Sequence, residues 1–266
     1  MEKIYSIGLL DSGVGGLTVV KEINELLPNE RMVYFGDTAK MPYGPRDPEE
    51  VKGFALDIIE FLQTQDIKMV IVACNTATAV GLDQYKKEFD IPIIGVINPG
   101  AQAAVQKTKN KKVGVIGTEG TVKSKAYEKA IKTIDPKIEV YSQACPLFVL
   151  LVENNLLETK EAKEVAHSYL RPLKEKGIDT LILGCTHYPI MSELIQEVMG
   201  PEVTLVNSAE ATAHLAKAIL EEQELIQDQE KDHAHRYFVS GKTNTFNATA
   251  SKWLNKKIKA YTVLLD

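Results

Sequence analysis

Cysteine is scarce in this chain and tryptophan scarcer, with three residues of the first (Cys74, Cys145, Cys185) and one of the second. Three thiols make no disulfide framework, and no two stand at the spacing of a CxxC redox pair or a zinc knuckle. An excess of basic residues is also missing. The net charge of −5 leaves no footprint for nucleic acid and a mild repulsion from anionic membranes. No apolar run approaches the ~20 residues that a membrane-spanning helix needs. The start, "MEKIYSIGLLDSG", has neither the basic stretch nor the long apolar core of an export signal, because Asp11 interrupts it. A cytoplasmic location is the expectation. The five histidines are scattered; the closest pair, His233 and His235, lies in the polar run "EEQELIQDQEKDHAHR". That run reads as a solvated helix end and connection, and no metal site is expected.

Hydrophobic residues at 44% and charged residues at 25% suit a soluble globular protein, and 266 residues are ample for a buried core. Short apolar runs alternate with longer amphipathic ones. "IYSIGLL", "MVYFGD", "MVIVAC", "IPIIGV", "KVGVIGT", "IEVYSQA", "TLILGC" and "VTLVNS" read as buried strands of parallel sheets. Segments such as "DPEEVKGFALDIIEFLQTQ" and "TKEAKEVAHSYLRPLKEKG" between them read as helices, with Pro48 in a first turn and Gly177 at an end. The fold class predicted is α/β. The pattern runs twice: "LLDSGVGGLTVV" and "VIGTEGTVKSKA" are each a strand, a small-residue turn and a helix. Asp11 also precedes Cys74 by nearly the interval at which Thr118 precedes Cys185. Two similar α/β domains with mainly parallel sheets follow, with the site in the cleft between them. The second is placed at residues 99–206; the first comprises 1–98 and, if the last segment returns to it, 207–266. That segment is expected to hold one helix, "SAEATAHLAKAILEEQ", and two more strands.

Cys74 and Cys185 each stand at the carboxyl end of a strand, followed at once by Asn75-Thr76 or Thr186-His187. Open α/β sheets bind ligands there, and a helix beginning at that point favours a thiolate. Two thiols in equivalent places suit proton transfer: one takes a proton from one face of a carbon while the other delivers one to the opposite face. Asp11 can accept a proton or orient an ammonium group, or it can simply cap a turn. His187 and Glu153 can serve the second thiol in the same way. Cys145 has no counterpart and reads as an ordinary buried cysteine. "DSGVGG" lacks both the phosphate-loop lysine and the GxGxxG spacing, so its glycines suit a small carboxylate. The loop "GDTAKMPYGPR" suits a cleft wall, with Tyr43 and Gly44 offering a hydroxyl and a backbone amide.

With "LLDSGVGGLTV", "GDTAKMPYG", "ACNTA" and "LGCTHYP" in that order, the chain resembles the glutamate racemases of the cofactor-independent aspartate/glutamate racemase superfamily, from Gly8 to about Ala213. The resemblance implies two similar domains with the last segment returning to the first. It implies interconversion of L- and D-glutamate without pyridoxal phosphate or any other cofactor, with D-glutamate going to peptidoglycan, and a homodimer as is common among such enzymes. Cys74 and Cys185 become the acid/base thiols, assisted by Asp11 and His187. Asp11, Ser12, Tyr43, Gly44, Asn75, Thr76, Thr186 and His187 match substrate-contacting positions, and Thr118 and Thr121 of "GTEGT" are further contacts. Glu153 lies in "CPLFVLLVE", like the family's "CPLFVPLVE" that supplies an acid near the second thiol, with Leu150 where a proline is usual. The chain starts at its first strand, without the N-terminal extension of members that a peptidoglycan precursor activates, which implies no such activation.

Three further readings of the function remain open at this point. Aspartate racemisation would use the same thiols. A two-domain amino-acid-binding protein would leave them inert, and a thiol-redox enzyme would join them reversibly.

Overall fold

The computed structural model describes residues 5–227 and 234–265. Its elements alternate along the chain. The first stretch runs β1 (Ser6–Asp11), α1 (Leu17–Leu26), β2 (Met32–Gly36), α2 (Pro48–Gln63), β3 (Ile67–Val72), α3 (Asn75–Glu88) and β4 (Ile93–Gly95). Next come α4 (Ile97–Lys107), β5 (Lys112–Gly117), α5 (Glu119–Ser124), α6 (Ala126–Ile134), β6 (Glu139–Ala144), α7 (Pro146–Glu153), α8 (Lys160–Glu175) and β7 (Thr180–Gly184). A 3-10 turn (Tyr188–Met191) leads to α9 (Ser192–Met199), β8 (Thr204–Asn207), α10 (Ser208–Glu222), β9 (Arg236–Val239), α11 (Thr243–Trp253) and β10 (Ala260–Thr262).

The strands form two parallel sheets, β10-β9-β2-β1-β3-β4 and β6-β5-β7-β8. Both faces of each are covered. Ile7, Leu9, Met32, Tyr34, Met69 and Ile71 pack against α1, α10 and α11, while their neighbours Leu10, Val33, Phe35, Val70 and Val72 pack against α2 and α3. That split is the two-residue period of a strand, and both of its faces are apolar because both are buried. The second sheet divides likewise. Leu181 and Leu183 face α7, α8 and α9, whereas Val113, Val115 and Ile182 face α4 and α6.

Local chemistry sets the helix starts. Asp47 accepts a hydrogen bond from the Glu49 amide, Pro48 opens α2, and Glu49 and Glu50 complement its dipole. Thr159 caps α8 and Thr118 caps α5 in the same way. Gly177 sits just past α8 at φ +68°, a left-handed conformation that glycine adopts without strain.

Three sequence expectations need correction. β6 is an edge strand with no fully buried residue, so "IEVYSQA" is not covered on both faces. α11 was not foreseen between the last two strands. His235 is half-buried rather than fully solvated: it accepts from the Met32 amide and bonds Asn24, and burial followed by Lys256 and Arg31 holds it down at about 4. His233 lies outside the described residues. Among the described residues, no helix is long and apolar enough to cross a membrane.

Candidate active site

Each sheet contains the same switch in strand order. β1 lies between β2 and β3, and β5 lies between β6 and β7, so chain connections depart in opposite directions from the β1/β3 and β5/β7 pairs. A crevice opens outside the carboxyl ends of such pairs. Asp11 ends β1 and Cys74 follows β3; Thr118 follows β5 and Cys185 follows β7. The topology thus places the four in two matching positions, which the repeated spacing in the sequence reflects.

The two halves meet there. The Thr186 hydroxyl donates to Asp11 Oδ1 at 3.3 Å, the Thr18 hydroxyl to the Thr186 carbonyl at 3.3 Å, and the Gly120 amide to the Gly44 carbonyl at 3.0 Å. Thr76, Thr118 and Thr121 form a hydroxyl triangle, with Thr76 3.0 Å from Thr118 and Thr118 3.1 Å from Thr121. The Tyr127 hydroxyl donates to Asn75 Oδ1 at 2.7 Å. Cys74 and Cys185 are 5% and 6% exposed. They lie close enough for the charge of one to disfavour ionisation of the other.

The side of Cys74 is poor in positive charge. Cys74 caps α3, and its Sγ accepts from the Ala77 amide at 3.5 Å. A helix start favours a thiolate, but here burial and then the Asp11 carboxylate push the thiol up to about 12. The thiolate expected from the helix terminus alone is therefore outweighed. Asp11 is fully buried, and its Oδ2 accepts from the Gly13 and Gly16 amides. Burial raises its pKa, against the lowering effect of His187 and of those amides. It is both the turn former and a member of the site.

Cys185 faces a different environment. His187 Nδ1 lies 3.8 Å from Cys185 Sγ, and its Nε2 lies 2.6 Å from Glu153 Oε1. Burial disfavours the imidazolium, but the hydrogen bonds to Cys185 and Glu153 outweigh it and raise His187 to about 10. Glu153 ends α7, which carries it across to His187.

The remaining candidates divide. Ser12, partly exposed, occupies the turn after β1. Tyr43 is buried with its hydroxyl donated to Asp37 Oδ2 at 2.5 Å, and Asp37 Oδ1 also accepts from Ser240. Burial and that carboxylate raise the phenol, so the loop meets the other half through Gly44 rather than through a free tyrosine hydroxyl. Cys145 is buried, its Sγ directed to the Gln143 carbonyl at 3.7 Å. Tyr34, absent from the sequence reading, donates to the Gly13 carbonyl at 2.7 Å and braces the turn. Tyr34 looks in sequence like any aromatic strand residue, so no signal marks it. Among the described residues, no cluster of three or more His, Cys, Asp or Glu could hold a metal. A cavity of about 1060 Å³ between α3, α4 and α6 is lined by none of the candidates. The candidate residues gather instead where the strand ends converge.

Two sulfurs stand at matching strand ends, one beside the buried Asp11 and the other beside the His187–Glu153 pair, in a protein built of two parallel α/β sheets. The chain belongs to the Asp/Glu/Hydantoin racemase family, which it matches over residues 7–216. A glutamate racemase of Bacillus cereus is 48% identical over 254 residues, covering 96% of this chain and 94% of that protein. The crystal structure of glutamate racemase isoform RacE1 from Bacillus anthracis superposes with a TM-score of 0.96 at 44% identity, covering 99% of both chains. A glutamate racemase from Francisella tularensis, solved with D-glutamate, gives 0.91 at 34% identity, covering 99% and 98%.

Proposed function

We propose that the chain is a glutamate racemase in which Cys74 and Cys185 exchange the Cα proton from opposite faces. The paired sulfurs at equivalent switch points carry this reading, and the 48% identical glutamate racemase supports the substrate. In one direction a thiolate removes the proton while the opposite thiol supplies another; in reverse the roles exchange. Asp11 handles the proton balance of Cys74, and the His187–Glu153 pair that of Cys185. The α3 amides and the Asn75, Thr76, Thr118, Thr121 and Thr186 side chains hold the substrate's carboxylates, with Ser12 and the backbone at Tyr43 and Gly44 completing the wall.

The moving parts we assign are residues 1–98 with 207–266 and residues 99–206, a division supported by the distribution of strands between the sheets. We place the enzyme in a reducing compartment, the cytoplasm, because its three cysteines are free. A homodimer with D-glutamate passing to peptidoglycan completes the proposal; exposed Leu147 and Leu150 on α7 support self-association.

The test is D-glutamate in D₂O with the purified protein, following optical rotation and Cα deuterium together. Rotation should fall to zero as deuterium enters the L-product, and Cys74→Ser or Cys185→Ser should each stop it. Faster turnover of aspartate would reassign the substrate. Wild-type rates in either serine variant would overturn the two-thiol assignment.

A further inference from the structure

We infer that Tyr127 is a positioning residue, whose phenol fixes the Asn75 side-chain amide with its NH₂ group turned toward the substrate carboxylate. This rests on the reading that Asn75 touches substrate. Tyr127 lies on α6, on the far side of the domain junction from α3, and both residues are buried, at 2% and 3% exposure. The phenol donates to Asn75 Oδ1 at 2.7 Å, while Asn75 Nδ2 is buried with no hydrogen-bond partner among the described residues. Nearly all buried donors are paired in folded proteins, so an unpaired NH₂ one residue after Cys74 suits an acceptor brought by a ligand. A carboxylate fits it.

The amide could in principle turn over and present its oxygen, which would repel a carboxylate. The phenol proton opposes this. With the Asn75 oxygen toward Tyr127 that proton is paired, whereas with the amide reversed the NH₂ would face the phenol and the buried proton would lose its Asn75 acceptor. Burial keeps the phenol protonated, so the pairing persists through neutral pH. Gly100 leaves room for the phenol: a Cβ there would lie 3.0 Å from Ser208 Cβ and 3.3 Å from the Tyr127 hydroxyl.

The experiment is steady-state racemisation in both directions by Tyr127→Phe, Asn75→Ala and the double variant, with thermal melting alongside. One weakened hydrogen bond to a charged group predicts that Tyr127→Phe raises KM roughly tenfold for both enantiomers. Its kcat should stay within about twofold, because ground state and transition state both carry the carboxylate. Asn75→Ala should raise KM at least as much, and Tyr127→Phe should add nothing to it. A structural role alone would lower the melting temperature or the active fraction without raising KM. Gly100→Ala, whose methyl group would press on the Tyr127 ring and hydroxyl at 3.3 Å, should raise KM severalfold and serves if Tyr127→Phe does not fold. If Asn75→Ala leaves KM unchanged, the reading of Asn75 as a substrate contact is what fails. If Asn75→Ala raises KM while neither Tyr127→Phe nor Gly100→Ala does, the inference about Tyr127 is overturned.

Discussion

His187 presents its two ring nitrogens to Cys185 Sγ and Glu153 Oε1 at once. Its pKa rises from 6.5 to about 10 on folding, so the folded protein holds a proton that the unfolded chain releases across that interval. The resulting stabilisation is complete below pH 6.5 and is lost as pH climbs toward 10, at up to about 1.4 kcal/mol per pH unit. Glu153→Gln removes the acceptor charge and should lower the His187 pKa. The alkaline limb of the rate profile should then move to lower pH, and stability should fall less steeply above neutrality. A limb unchanged from wild type would show that His187 does not set it. Of these residues the two cysteines and Asp11 were legible, because a strand's carboxyl end marks them. The strength of the Glu153–His187 contact was not, since it depends on the direction in which α7 leaves Cys145. Nor was the raised pKa of Cys74, which comes from burial beside Asp11 rather than from the helix that the sequence displays.

At the level of elements, the turn between β1 and α1 shows what the glycines of "DSGVGG" do. A Cβ on Gly15 would overlap the Thr186 hydroxyl and lie 2.6 Å from His187 Nδ1, so this glycine permits the two halves to touch. Gly15→Ala should push Thr186 and His187 away from Asp11. A displacement of about 1 Å at a reacting centre costs on the order of a hundredfold in rate, and kcat/KM should fall by that order. Folding of each half should persist, because the methyl group projects into the junction and not into either core. An alanine variant with normal kcat/KM would place Gly15 outside the working geometry. The sequence announced a small-residue turn here but gave a carboxylate as the reason; the partner across the junction came only with the fold. α11 escaped for another cause. "TNTFNATASKW" is rich in residues of low helix propensity, and only Phe246, Ala250 and Trp253, spaced for one helical face, betray it. Tertiary packing against the first sheet supplies what propensity does not.

On the scale of the whole molecule, the site is shut. Both sulfurs are at most 6% exposed, and hydrogen bonds cross the junction from Thr186 to Asp11, Gly120 to Gly44 and Tyr127 to Asn75. With the proposed thiols as the site, glutamate reaches them once these contacts part, so the halves are expected to separate and close again, with ligand favouring the closed form. The chain carries its own reporter. Trp253, its single tryptophan, packs against the apolar clusters of both halves and lines a cavity of about 290 Å³ with Leu17, Pro189, Ile190 and Asn207. Opening the junction should expose more of this half-buried ring to water. D-Glutamate added to the inert Cys74→Ser variant should therefore produce a saturable change in tryptophan emission, absent from the same variant with Trp253→Phe. Calorimetric binding to Cys74→Ser with no change in emission would mean that the halves do not part along the Trp253 seam. Substrate entry would then need a hinge confined to the loops at Gly13–Gly16 and Asp37–Gly44.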